Sequence, residues 1–149
     1  AGRSGRGKTP GEVVIQTMDP DNYAIRCAVA HDYVSFFEEE LEMRRELLYP
    51  PFATLVNVIA RNEDERTARS AVEELAEDIG KLPMLLRKGV KVTGPVPAVL
   101  SKLKNHYRWH LVLRSEDREA VLGVLRTVFD ANPSLRRKLT VDVDPVSML

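Results

Sequence analysis

The sequence predicts a protein of the α+β class, and three observations support this prediction. Apolar runs of strand length alternate with segments in which apolar residues recur at helical spacing. Proline and glycine residues separate these segments. Over residues 52–149 the resulting order is β-α-β-β-α-β. This is the split βαβ order of the ferredoxin-like fold, in which two helices cover one face of an antiparallel sheet. We expect the other face to meet water or a partner.

The first half of this unit contains two strands with a helix between them. Phe52–Arg61 (FATLVNVIAR) predicts a strand that is apolar on both faces over most of its length. A helix is predicted from Asn62 onward, because apolar residues then recur at helical spacing. These residues are Ala68, Val72, Leu75, Ala76, Ile79 and Leu82. Val90–Thr93 predicts a short strand that leads into a segment rich in glycine and proline.

The second half repeats the same pattern. Tyr107–Leu113 predicts a strand, because every second residue is apolar or aromatic and faces one side. Ser115 is predicted to cap the following helix, which Asn132 and a proline end. Lys138–Pro145 predicts the last strand.

Residues 1–51 are predicted to be a separate piece. A strand is predicted over Glu12–Thr17, and Asp19 before a proline predicts the N-cap of a helix over residues 20–30. A second helix is predicted from Asp32 until a proline pair ends it.

The composition limits the classes of function. The 149 residues carry 22 basic and 22 acidic side chains, so contacts with nucleic acid must come from local patches. The single cysteine, Cys27, excludes an internal disulfide framework and a cysteine-rich zinc site, and we expect it to be a buried apolar residue. We expect no metal site in this chain. No apolar run is long enough to span a membrane.

The first residues match a phosphate-binding loop by pattern, since Gly2–Thr9 reads GRSGRGKT. A functional loop of this kind leaves a buried strand and enters a helix. Here a turn and then a strand are predicted to follow it, which is the wrong order. The pair Arg3 and Arg6 is a separate signal, because two guanidinium groups beside glycines suit the charge that develops on a γ-phosphate.

Two basic clusters are candidate nucleic-acid contacts, because cationic groups bind phosphates and aromatic rings stack on bases. The first cluster comprises Lys102, Lys104, His106 and Arg108, next to Tyr107 and Trp109. We expect Trp109 to be a core residue. The second cluster includes Arg136 and Arg137, and a merely solubilising loop explains it equally well.

Several segments together resemble one protein family. The opening AGRSGRG resembles the end of motif VI, Q-x-x-G-R-x-G-R, of superfamily 2 helicases. PGEVVIQT, DY..F.EEEL..R..L.YPPF, VTGPVPA, YRWHLVL and VDVDP then follow in order over nearly the whole chain. This combination resembles the C-terminal region of the primosomal protein N′ (PriA) family of bacterial replication-restart helicases. The phosphate-loop match is then a coincidence.

The resemblance implies that the parent protein is an ATP-dependent 3′-to-5′ DNA helicase of the bacterial cytoplasm. The parent would use ATP and Mg²⁺, and would hold zinc in a cysteine-rich region that this chain lacks. Arg3 and Arg6 would be arginine fingers in the intact motor, with Ser4 standing where the family has alanine. The fragment would be inactive alone, would bind no cofactor, and would be monomeric.

The resemblance also implies a division of the chain and a set of partners. Residues 1–51 would end the second motor lobe, and residues 52–149 would bind branched and single-stranded DNA. The second part would also bind the acidic C-terminal tail of the single-stranded DNA-binding protein, SSB, while other primosome proteins would bind the parent. Arg118 aligns with a residue that touches that tail, whereas Leu122 replaces a polar contact residue of the family.

Two interpretations from other classes remain open on the residues alone. One is a stand-alone ferredoxin-like hydrolase of the acylphosphatase kind, and the other is a regulatory module that binds a small ligand. The hydrolase would hold an anion in the loop after its first strand. That loop, Arg61–Glu65, is acidic and would repel an anion.

Overall fold

A computed structural model describes residues 13–147. The chain divides into two compact units, Ala1–Leu41 and Glu42–Leu149. In chain order the described elements are α1 (Tyr23–Ala30), α2 (Tyr33–Glu46), β1 (Thr54–Asn62), α3 (Glu65–Lys81), β2 (Lys91–Leu103), β3 (His106–Ser115), α4 (Arg118–Ala131), α5 (Pro133–Lys138) and β4 (Leu139–Val143). Among residues 13–147, no helix is both long enough and apolar enough to cross a bilayer.

The first unit holds α1 and most of α2. Asn22 caps α1, since its side-chain oxygen accepts a hydrogen bond from the Ala24 N–H at 3.0 Å. The predictions of an Asp19 cap and of a helical start at residue 20 were therefore wrong by about one turn. The predicted strand was also wrong where it is described: residues 13–17 are not a strand, because the described strands of the sheet pair only with one another. Glu12 lies outside the described residues.

Aromatic contacts join α1 to α2 within this unit. The ring of Tyr23 stacks on that of Phe36, with centroids 6.1 Å apart, and the Tyr23 hydroxyl donates a hydrogen bond to the Glu40 carboxylate. Cys27 is buried in α1 and is not in a disulfide, which confirms its predicted role as a small apolar residue.

The second unit is built on one antiparallel sheet with the strand order β2-β3-β1-β4. Both β1 and β2 run antiparallel to β3, which lies between them, so β1 and β2 are parallel to each other. This arrangement confirms the predicted ferredoxin-like α+β fold. It also fixes which chain segments meet at each end of the sheet.

The core lies between the sheet and the helices. Val58 on β1 lies opposite Leu111 on β3 and Val141 on β4, and these residues face the apolar sides of α3 and α4. Trp109 packs against this cluster, as predicted. Each large buried aliphatic side chain contributes about 1.5–3 kcal/mol relative to exposure.

The opposite face of the sheet was predicted to meet water or a partner, but its centre is buried. The buried residues on this face are Leu55, Asn57, Ile59, Arg108, His110 and Val112. The sequence did contain the signal, because β1 is apolar on both faces and a strand with one wetted face alternates apolar with polar residues.

Strand β2 was predicted over Val90–Thr93 only, but it continues to Leu103. Prolines and glycine after Thr93 predicted a break. Two irregularities in the pairing with β3 accommodate them, between Thr93 and Val96 and between Pro97 and Lys102. Bulges of this kind tolerate residues that donate no ladder hydrogen bond.

Two further local predictions needed correction. Asp117, not Ser115, caps α4, because its carboxylate accepts from the Glu119 N–H at 2.9 Å. The basic segment before the last strand is a short helix, α5, rather than a loop. Asn132 accepts from the Leu135 N–H at 3.2 Å and Pro133 occupies the first turn, so the pair that ends α4 also begins α5.

Candidate nucleic-acid interface

The hairpin between β2 and β3 presents the first basic cluster. Leu103 pairs with His106, which leaves Lys104 and Asn105 as a two-residue loop with φ of 48° and 64°. Positive φ at both positions is the type I′ geometry that matches the twist of the strands. Asparagine tolerates it well, whereas lysine adopts it at a cost of about 1 kcal/mol. The turn places the exposed Lys104 side chain at the tip.

Neighbouring side chains are held in place around this tip. The Lys102 Nζ lies 4.6 Å from the centroid of the Tyr107 ring and donates to its hydroxyl at 3.3 Å. The His106 Nδ1–H donates to the Lys104 carbonyl at 2.9 Å, so the other ring nitrogen, Nε2, remains available to a partner. Tyr107 is half-buried against the core, so its contacts with Lys102 hold that side chain in place.

Helix α5 presents the second basic cluster. Arg136 donates to the Leu139 carbonyl at 3.3 Å and lies 5.3 Å from the ring of Phe129. Lys138 lies 3.6 Å from Glu74, an exposed pair that contributes little to stability. Arg137 is exposed and has no ion pair or hydrogen bond within residues 13–147. It is therefore the residue of α5 most available to a phosphate.

The strand register brings both clusters to the same end of the sheet. Ala60 on β1 lies opposite Trp109 on β3 and Leu139 on β4. The hairpin follows one of these strands and α5 precedes the other, and β3 and β4 are about 10 Å apart across β1. We call this region the basic end; it comprises Arg61, Lys102, Lys104, His106, Arg136, Arg137 and Lys138.

Carboxylates lie along one side of the basic end. Asn62 ends β1, and Glu63, Asp64 and Glu65 follow at the start of α3. The Thr67 hydroxyl and the Thr67 backbone N–H both donate to Asp64 and hold its pKa below the ordinary value, so this carboxylate stays charged. A phosphate is therefore favoured on the side of the hairpin and α5.

Arg108, also a predicted DNA contact, lies opposite Arg61 on the neighbouring strand but is buried. It is only 2% exposed on the sheet face opposite the helices, and its Nε and Nη1 atoms have no hydrogen-bond partner among the described residues. His110, two residues along, is buried on the same face, and its burial, followed by the charge of Arg108, lowers its pKa. Arg108 meets a phosphate only if its side chain leaves this position, and its role in DNA binding stays a prediction.

Arg118, the predicted contact for the SSB tail, lies at the other end of the sheet. It begins α4 and donates to Asp144 Oδ2 at 2.7 Å, while Asp144 Oδ1 accepts from the Leu55 N–H at 3.0 Å. Both partners of the ion pair are substantially exposed. Leu122, one turn later on α4, is half-buried. A carboxylate from a partner would therefore compete with Asp144 for the guanidinium group.

The remaining predictions fall outside what is described, and two features were missed. Arg3 and Arg6 lie outside the described residues. Within residues 13–147, no group of three or more histidine, cysteine, aspartate or glutamate side chains is arranged to hold a metal ion. The missed features are helix α5 and the place of Arg61 at the basic end. The Asn-Pro pair and the last polar residue of β1 were the available signals.

The fold and the basic end define a class: an α+β domain of the ferredoxin-like type with a cluster of cationic side chains at one end of its sheet. The family comparison is more specific. Residues 45–146 match the family described as the primosomal protein N C-terminal domain, and the chain belongs to that family.

Three relatives carry the name "Replication restart protein PriA". The protein from Synechocystis is 33% identical over 99% of this chain and 17% of its own length, and that from Treponema pallidum is 34% identical over 100% and 22%. The Bacillus subtilis protein is 28% identical over 100% of this chain and 19% of its own length. The chain thus spans about a fifth of these relatives. A designed protein, Foldit4, superposes on 61% of the chain, and 92% of its own length is covered, with a TM-score of 0.44 and 16% identity.

Proposed function

We propose that the chain is the C-terminal part of an ATP-dependent 3′-to-5′ DNA helicase that restarts stalled replication forks. Its basic end would bind branched and single-stranded DNA. The name shared by the relatives supports the first part of the proposal. The second part rests on one observation, which is the meeting of two sequence-distant basic clusters at one end of the sheet.

The proposal separates the work of the parent from that of this chain. In the parent, ATP and Mg²⁺ would drive unwinding, Arg3 and Arg6 would reach the nucleotide, and a cysteine-rich region would hold zinc. Other primosome proteins would bind the parent at the fork in the bacterial cytoplasm. Residues 1–51 would end the motor, so this chain alone would bind its partners without hydrolysing ATP.

Charge and geometry support DNA binding at the basic end. Each cationic group that neutralises a phosphate releases counterions, so the logarithm of affinity falls linearly with the logarithm of salt concentration. The hairpin tip leads into β3 and Arg137 precedes β4, and these two strands are about 10 Å apart across β1. No base-reading pattern is needed, which suits a surface that follows the backbone of forked DNA.

A salt series with matched variants tests the DNA site. A labelled forked DNA is titrated by fluorescence anisotropy with the wild-type chain and with a Lys104→Asn, Arg137→Gln variant. Asparagine keeps the type I′ turn while removing the charge. The salt slope is the slope of the logarithm of affinity against the logarithm of salt concentration. Loss of two phosphate contacts lowers its magnitude by about 1.4–1.8. The control, Lys88→Gln with Lys91→Gln, removes the same charge away from the basic end. Equal losses in both variants would show that net charge alone matters.

The SSB tail is proposed to pair with Arg118 by displacing Asp144. Asp144→Asn keeps the hydrogen bond to the Leu55 N–H but removes the competing charge, so affinity for a synthetic SSB tail peptide should rise about 1.5- to 5-fold. Arg118→Gln should weaken it, whereas Arg126→Gln on the exposed side of α4 should not. If Asp144→Asn leaves the tail affinity unchanged, Arg118 is not the contact.

A further inference from the structure

A groove lies beside α4 at the end of the sheet opposite the basic end. Its volume is about 880 Å³, and its walls are the last residue of α2 with the segment after it, the loop between α3 and β2, and one side of α4. We call it the α4 groove. Leu85 and Leu86 from the loop line one wall, and Gly123 lines the helical wall. A cavity of this size is within the range that binds side chains or small ligands.

The loop wall is apolar although it is in contact with solvent. Leu85 and Leu86 are consecutive in this wall, and they are 82% and 49% exposed. Single exposed apolar residues are ordinary, but a contiguous exposed apolar patch marks a surface that binds a partner. Leu48 adds a further apolar group to the same groove.

The helical wall of the groove includes a glycine, which has no side chain. Gly123 lies in the middle of α4, where glycine lowers helix stability, and a Cβ atom built on it would meet nothing within 4 Å. The packing of the described chain therefore does not require glycine at this position. Glycine there leaves room for the close approach of another backbone or of a bulky side chain.

The charge of the α4 groove selects the partner. Four carboxylates line it (Glu46, Glu116, Asp117 and Glu119) and two lysines (Lys88 and Lys91), so the net charge is negative. Asp117 caps α4 and Glu119 lies 3.5 Å from Arg126, whereas Glu46 and Glu116 have no hydrogen bond or ion pair among the described residues. Phosphates would be repelled, and cationic side chains would find unpaired acceptors.

From this combination we infer that the α4 groove binds a peptide segment of a partner protein that presents leucine-like side chains next to lysine or arginine. The site is distinct from the one proposed for the acidic tail. At 100° per residue, Gly123 lies about 140° around α4 from Arg118. The inference does not rest on the proposed DNA binding, which uses the other end of the sheet.

A defined peptide tests the inference on the whole 149-residue chain. The probe is a fluorescein-labelled peptide of about 11 residues with leucines and lysines at helical spacing, a length of about 16 Å as a helix. One comparison peptide replaces every lysine by glutamate, and another replaces every leucine by serine. We expect saturable binding of the first peptide and at least tenfold weaker binding of both others.

Filling the groove should weaken this binding. Gly123→Leu should lower the affinity for the peptide about tenfold or more. The chain should stay folded, because a Cβ atom at this position meets nothing within 4 Å. Gly80→Leu on α3 is the matched control, since a Cβ there also meets nothing within 4 Å and Gly80 does not line the groove. Glu116→Gln with Glu119→Gln should weaken binding about threefold for each carboxylate.

Three results would overturn the inference. The first is equal affinity for the lysine and glutamate peptides. The second is equal loss of binding in Gly123→Leu and Gly80→Leu. The third is a concentration-dependent dimer, in sedimentation velocity, that Gly123→Leu dissociates, because a second copy of the chain would then be the occupant.

Discussion

The two ends of the sheet differ in charge although the same strands reach both. At the basic end, cations come from the β2–β3 hairpin and from α5. At the other end, Ser115 and Lys91 lie beside the α4 groove, whose net charge is negative and whose loop wall is apolar. Tyr107 and Ser115 on β3 are about 27 Å apart along the strand. A chain of zero net charge thus carries a cationic cluster at one end of the sheet and a negatively charged groove at the other.

This separation explains how a neutral chain can have two kinds of partner. A uniform mixture of charges has no field that steers a polyanion, whereas a local cationic edge has one. Carboxylates placed far from that edge do not oppose it, because salt screens exposed charges beyond about 10 Å. The proposed DNA and peptide sites should therefore be separable by mutation.

The largest effect should come from the core that joins the two ends. Leu111 is fully buried in the middle of β3, so Leu111→Ala should lower the free energy of unfolding by about 2–5 kcal/mol. Urea unfolding followed by circular dichroism measures it. Val99→Ala is the control, because Val99 is 69% exposed and its loss should cost little. A small effect at Leu111 would mean that the two ends do not share one core.

A smaller effect on stability should come from the N-cap of α4, which also lines the groove. Asp117 both caps α4 and lines the groove. Asp117→Ala should destabilise the chain by about 1 kcal/mol, whereas Asp117→Asn should keep most of the cap. Both variants should leave the salt slope for forked DNA unchanged. A change in that slope would show that the two ends are electrostatically coupled.

The smallest effect at neutral pH should come from His110, between the two ends. Burial and the nearby Arg108 charge lower its pKa in the folded chain, so the unfolded chain takes up the proton more readily. The stability that depends on this difference is present above the unfolded pKa of about 6.5 and is lost as the pH falls below it.

The pH dependence can be measured directly. Between pH 7.5 and 5, the free energy of unfolding of the wild-type chain should fall more steeply than that of His110→Gln. His106→Gln is the matched control, because His106 is exposed at the hairpin tip. If the His106 and His110 variants behave alike, the buried position of His110 has no energetic consequence.

Local patterns predicted most of the fold because they report on local physics. The helical spacing of apolar residues identified α3 and α4, and period-two alternation identified β3. The errors occurred where tertiary contacts override a local signal. Prolines after Thr93 predicted the end of β2, but pairing with β3 carried the strand on to Leu103. Asn132 and Pro133 end one helix and begin another, and the sequence alone does not separate these two outcomes.

The sequence by itself determined the β-α-β-β-α-β order over residues 52–149 except for α5, the antiparallel sheet that follows from this order, and the family. Those properties depend on neighbours along the chain and on motifs read in sequence. Only the tertiary structure decided that Arg108 is buried and that Gly123 lines the groove with Leu85. Strand register sets the ends of the sheet, and helix rotation sets the groove wall. Both depend on packing between residues far apart in the chain.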